Sequence, residues 1–304
     1  RTLLWTSFSI LIITSAVLVG VGKLLMPYSD RYQPRLEAWL SEEFGRPVEV
    51  TSFHGEWRAF GPRLTLRGMN LLPAEGAAVE GAHEVAIDSA ALDIKPLNLL
   101  LPGRPLYNFR VIGADFNLTR KSDGQFELSG FGVSRRSSDV DGSGLRELAK
   151  IGEVMLEDSS LEYVDEVHGI RLGLASIRGR LHMKGDKFST EVEARLLDPS
   201  SQLVFGELEA TVFLRMGDDN KLEAAKWQAS AQELMLAAFQ GKLPPNPFLP
   251  LQGWLNAELW GDWSRQDGHS IRGVTDLTEA LLVNDYQDLA LEHVNMRFKW
   301  SYAQ

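Results

Sequence analysis

KFSTEVEARLL, Lys187 to Leu197, alternates without a slip. Phe188, Thr190, Val192, Ala194 and Leu196 take one parity, and Lys187, Ser189, Glu191, Glu193 and Arg195 take the other. Successive side chains of an extended chain point to opposite faces, so this spacing predicts a strand with one apolar and one charged side. The pattern recurs. Leu208, Ala210, Val212, Leu214 and Met216 alternate with Glu207, Glu209, Thr211 and Arg215. Val294, Met296, Phe298 and Trp300 alternate with Asn295, Arg297 and Lys299, and Ile112, Ala114, Phe116 and Leu118 continue the design. Turn signals separate the runs: Asp123-Gly124 suits the positive φ of a hairpin turn, and RMGDDNK and LLDPSSQL are polar and small.

Helical patterns are short and few. In QPRLEAWLSEEFGRP the apolar Leu36, Trp39, Leu40 and Phe44 share one stripe, with Pro34 in the first turn and Gly45 at the end. LRELAKIG and AQELMLAAFQGKLP read as two more. Three short helices cannot cover the apolar faces of so many strands. A sandwich, a closed barrel or an open curved sheet with an apolar concavity can. The 278 residues after Met26, at about 14 residues per strand and turn, predict roughly 20 strands, which in one sheet would run about 95 Å. Periodicity alone does not choose, and ranks the sandwich ahead of the trough.

Thr2 to Gly22 holds no charged residue, long enough as a helix to span the roughly 30 Å hydrocarbon core of a bilayer. Trp5 and Tyr28 bracket it as interfacial aromatics do. Gly20-Val21-Gly22 would suit signal cleavage, but the run exceeds the usual apolar core of a signal peptide, which favours a retained anchor. The expected organisation is an anchor over residues 1–26, a helix and sheet over 27–131, a mobile loop over the polar 132–144, and a β region over 145–304. The first residue is Arg and the last residues lie within a strand-like pattern, so the chain is expected to be a fragment that continues.

Chemistry is hard to place. The net charge is −10, unsuited to nucleic acid, whose phosphates demand clustered cations. There is no cysteine, hence no disulfide, thiolate nucleophile or cysteine zinc site. None of the six histidines is spaced for a metal helix. The densest set of possible ligands, Asp165-Glu166-Val167-His168, reads as surface polar residues in a hairpin turn. There is no nucleophile elbow or phosphate loop, so no enzyme activity and no cofactor or metal are expected. Of the eight tryptophans, Trp254, Trp260 and Trp263 cluster. Their mixed parity argues for core or groove-rim packing rather than a flat carbohydrate platform.

The order of several blocks resembles the AsmA-like proteins, in the YhdP branch. These are GRPVEV, Trp57-x-x-Phe60-x-Pro62 with the alternating RLTLRGMNL, IGADFNLTRKSDGQFELSGF, IGEVMLEDSSLEYVD and LMLAAFQGKLPPNPFLPLQGWLNAELWGDW. The resemblance implies an inner-membrane anchor through residues 3–26 of a Gram-negative cell and a body in the periplasm. It implies a chorein-type N-terminal module and a taco of curved β-sheet that carries phospholipid toward the outer membrane and supports its permeability barrier. The groove candidates are then Ile112, Ala114, Phe116, Leu118, Phe188, Val192, Leu196, Leu208, Val212, Leu214, Val294, Met296 and Phe298. Leu36, Trp39, Leu40, Phe44, Trp57, Phe60 and Pro62 become a cap, with Trp57 and Phe60 packed under the helix at a hairpin turn. The rival function is a membrane-anchored sandwich scaffold recruiting envelope proteins.

Overall fold

The fold is set by how long each strand runs before its neighbour takes over. The computed structural model describes residues 20, 31–44, 47–58, 61–72, 85–96, 98, 104–128, 133–135, 151–184, 186–217, 222–240, 252–265, 268–283 and 288–302. Among the described residues α1 (Gln33–Phe44) precedes fourteen strands. They are β1 (Val48–Arg58), β2 (Gly61–Leu71), β3 (Val85–Ile94), β4 (Tyr107–Arg120), β5 (Phe126–Leu128), β6 (Val133–Arg135), β7 (Ile151–Asp165), β8 (Ile170–Lys184), β9 (Lys187–Leu197), β10 (Val204–Met216), β11 (Leu222–Met235), β12 (Gln252–Ser264), β13 (Gly268–Val283) and β14 (Asp288–Tyr302). Strands of up to 16 residues leave room for fewer than the roughly 20 expected from turn spacing.

Twelve strands pair in the order β1-β2-β3-β4-β7-β8-β9-β10-β11-β12-β13-β14, and β5 and β6 branch from β4. The chain is mainly β, in one open curved sheet; β1 and β14 are its two edges, so it is neither a barrel nor the pair of packed sheets of a sandwich. At ~4.8 Å per strand the twelve span about 53 Å. All neighbours are antiparallel except β4 and β7. Asp123-Gly124 makes the expected turn, with Gly124 at φ +81° and Lys121 N–H donating to Gln125 O.

Three helix and loop expectations change. AQELMLAAFQGKLP is not a helix: Ala231 to Met235 ends β11, paired with Leu255 and Trp254 of β12, and only Leu236–Phe239 turns, as 3-10. Cross-strand burial of Leu234 outweighs helix propensity there. Val133–Arg135, inside the expected loop, is a strand. Ile151-Gly152, the end of LRELAKIG, opens β7, and the rest of that segment lies outside the described residues. The predicted span also lies outside them apart from Gly20, which is helical; among the described residues no helix is long and apolar enough to cross a membrane.

A crease crosses the sheet. Gly68, Gly113, Asp158, Ser176, Glu233 and Glu279 all have positive φ inside strands. A left-handed residue interrupts the two-residue alternation, so apolar positions step by three across Gly68 and Gly113, from Leu66 to Met69 and from Val111 to Ala114, and β3, paired between those strands, steps with them from Ile87 to Ala90. These six belong to or pack on one core cluster, so the stepped positions stay on the same side of the sheet. Where β4 meets β7 at the crease, buried Ser159 accepts a hydrogen bond from Ala114 N–H and donates to Glu157 O.

Candidate functional site, an apolar trough

Register follows from the pairings, and register identifies the face. One row crosses all twelve strands: Phe53, Leu66, Ala90, Val111, Leu156, Gly179, Val192, Ala210, Ala229, Leu259, Gly273 and Phe298. The next row is Gly55, Leu64, Leu92, Phe109, Val154, Leu181, Thr190, Val212, Trp227, Gly261, Ile271 and Trp300. Only Thr190 in the two carries a side-chain polar group outside an indole. A Cβ on Gly261 would lie 2.1 Å from Trp227 Cε2, so the glycine leaves space for that indole. The opposite face carries the charges and pairs them across strands, as in Arg178 with Glu193 at 3.1 Å and Arg215 with Glu223 at 3.1 Å.

Ala114, Phe116, Leu118, Phe188, Val192, Leu196, Leu208, Val212, Leu214, Val294, Met296 and Phe298 all fall on the apolar face by register. Ile112 does not. It pairs with Ser89 and lies beside Glu157, on the charged face, because Gly113 at φ +63° moves the apolar parity to Val111. The positive-φ positions leave little trace in a single sequence when they are Asp, Ser or Glu, which is why Leu156, Ile177 and Leu234 were missed; Val111 was missed together with Ile112, whose parity Gly113 reverses.

Two devices cover parts of the trough. Leu40 of α1 is buried against Val48, Val50, Met69 and Leu71, and Leu36 packs beside it. The helix also satisfies the free edge of β1. Val50 N–H donates to Glu37 Oε1 at 3.0 Å, Val48 N–H to Ser41 Oγ at 2.9 Å, and Gln33 Nε2 to Val50 O at 2.6 Å. Edge strands left open invite foreign pairing, so this cover is protective as well as apolar. Further along, the Leu236–Phe239 turn folds over Leu196, Phe205 and Leu234, with Phe239 edge-on to Phe205 at 5.2 Å.

The proposed membership of the cap is revised. Trp39 is 56% exposed, on the outer side of α1. Trp57 pairs with Pro62 at the tip of the β1–β2 hairpin. That is seven residues beyond Val50, or roughly 23 Å along the strand, so Trp57 does not lie under the helix. Phe60 and the side chain of Phe44 lie outside the described residues. The tryptophans near β12 divide. Trp263 is on the apolar face opposite Ala225, whereas Trp254 and Trp260 take the charged face, with Arg272 stacked 5.6 Å from the Trp260 ring centre. Core or groove packing therefore describes Trp263 alone, and the three form no platform.

The Asp165 turn is not merely surface. Asp165 is 4% exposed and accepts from Val167 N–H at 2.8 Å and Arg120 Nη1 at 3.1 Å, with His168 Nδ1 at 2.9 Å. The His168 contact, above all, holds its carboxyl far below the ordinary range against the opposing effect of burial. Burial, helped by the Asp165 charge, pushes the Tyr163 phenol up, so it stays a donor toward Asp165. Among the described residues no group of three or more His, Asp or Glu is arranged to hold a metal ion.

The sequence model of the family described as YhdP protein matches residues 1–304. The chain belongs to the YhdP family. This AsmA-like branch is one of bacterial envelope proteins and of lipid-transfer, non-enzymatic proteins. An open curved sheet with one apolar face fits a lipid-transport groove in that family. No curated protein and no solved structure matches the chain.

Proposed function

We propose that this YhdP-family chain conducts phospholipid between the inner and outer membranes, its acyl tails sliding along the apolar face while the headgroups stay in water. The observation that carries the reading is the unbroken apolar row across all twelve strands. An apolar surface of that length is not left wet without a purpose, and a conduit that keeps charge outside avoids the cost of taking a headgroup through hydrocarbon. Thr2 to Gly22 would anchor the chain in the inner membrane, with the sheet in the periplasm. Because α1 covers the apolar face of the first strands, lipid would enter beyond them.

A photo-crosslinking side chain placed at Val192 or Val212 tests this in cells. Capture of phospholipid at both positions, and not at Glu191 or Thr211 on the other face, is expected. Capture of protein alone would favour a scaffold and sink the conduit.

A further inference from the structure

Along the described apolar face, charge intrudes at one place. By register, Arg120 is the only Arg or Lys and Asp165 the only Asp or Glu among the described positions of that face in the twelve-strand path, and they stand side by side at the ends of β4 and β7; Arg135 shares their row through Phe126 in the β5–β6 branch. Behind them the face is apolar again: Leu118, Tyr163 and Leu172 make the next row inward, and Phe116, Leu161 and Leu174 the one after. Each row is roughly 7 Å deeper. Charge at a lip with two apolar rows behind it is the distribution of an amphiphile.

The cation is held for presentation. Asp165 is fixed by the Val167 and His168 N–H groups, so its position does not depend on Arg120. It binds Arg120 through Nη1 alone, at 3.1 Å. The Arg120 side chain is 33% exposed, and its guanidinium, which also meets the Tyr163 hydroxyl, keeps further N–H donors in a rigid fork suited to phosphate oxygens. His168, 42% exposed, turns Nδ1 to Asp165, which leaves Nε2 as its nitrogen for a ligand. The lip lies between the cluster covered by α1 and the one covered by the Leu236–Phe239 turn.

We propose that Arg120, with His168 beside it, binds the phosphate of a lipid headgroup whose tails lie on Leu118, Tyr163 and the rows behind. This rests on the conduit reading and adds to it a headgroup station at one lip, so that the trough distinguishes phosphate-bearing lipids from neutral ones.

The test uses the full chain with vesicles of phosphatidylglycerol or diacylglycerol, each carrying a photoreactive group near the glycerol, and adducts mapped by mass spectrometry. In the unmodified chain, phosphatidylglycerol is expected to label the Leu118–Tyr163–Leu172 row about tenfold more than diacylglycerol, as one charge-assisted contact predicts. Arg120→Gln should remove that preference and leave diacylglycerol labelling of Val192 and Val212 unchanged, while Arg120→Lys keeps most of it. Equal labelling of that row by both lipids in the unmodified chain overturns the headgroup station, whether or not the glutamine variant folds, and leaves the conduit standing. Labelling of neither row by either lipid overturns both. Inorganic phosphate that abolishes the preference at millimolar concentration would show a simple anion site and also overturns the proposal.

Discussion

Positive φ is the decisive property at the residue scale. Gly113 and Asp158, Ser176, Glu233 and Glu279 share a conformation that glycine takes freely and the others do not. A Cβ on Gly113 would lie 2.2 Å from Asp88 Oδ2. Gly113→Ala is therefore expected to cost about 2 kcal/mol in chemical denaturation, from strain plus displacement of Asp88. Glu279→Gly should go the other way. Relief of about 1–2 kcal/mol of left-handed strain exceeds the roughly 0.5–1 kcal/mol entropy cost of a glycine, so stability rises by about 0.5–1 kcal/mol. The Arg63 guanidinium makes a forked pair with Asp93, its Nη2 at 2.6 Å from Oδ2, and this contact holds the carboxyl below its ordinary range. A depressed carboxylate contributes stability above its unfolded pKa, near 4, and loses it as pH falls through the lower folded value. Asp93→Asn is thus expected to cost about 1 kcal/mol at pH 7 for a partly exposed pair. The gap between variant and parent should close in melts taken below about pH 4.

Among the elements, α1 carries more than its stripe suggests. Glu37 accepts from Val50 N–H and from Gln33 Nε2, and Ser41 accepts from Val48 N–H. The helix therefore joins the sheet twice, through Leu36 and Leu40 on the apolar face and through hydrogen bonds along the β1 edge. Leu40→Ala should cost about 2–4 kcal/mol, as large-to-small changes at buried sites do. Hydrogen exchange should then rise first at Val48 and Val50, whose N–H groups depend on the docked helix. Loss of protection spread evenly over β1 to β4 would instead mean that α1 is not a separately docked cap.

The molecule as a whole is an argument about one face. Val192 and Val212 are half-buried on the open part of the trough, where a carboxylate would still reach water. Val192→Glu or Val212→Glu is expected to leave the melting temperature within a few degrees of the parent. Lipid movement and the outer-membrane barrier should fail, since acyl chains would have to cross a fixed charge. A variant that keeps both the barrier and its fold would count against passage along this face. The Arg120 station belongs to the same scale, since it matters only if tails occupy the rows behind it.

What the amino-acid sequence determined is local and periodic. Alternation from Phe188 to Leu196 and from Leu208 to Met216 placed β9 and β10 on the right face, and Asp123-Gly124 placed a hairpin, because side-chain period and turn chemistry are properties of neighbouring residues. The tertiary structure decided the rest. Only pairing between distant strands could choose one open sheet over a sandwich, since the same alternation serves both. Only the fold could show that Ile112 faces the charged side, that Ala231 to Met235 extends a strand, and that Trp57 lies far from the helix meant to cover it. Burial of Asp165 and its place beside Arg120 arise from a parallel pairing across 45 residues of sequence, which no local pattern encodes.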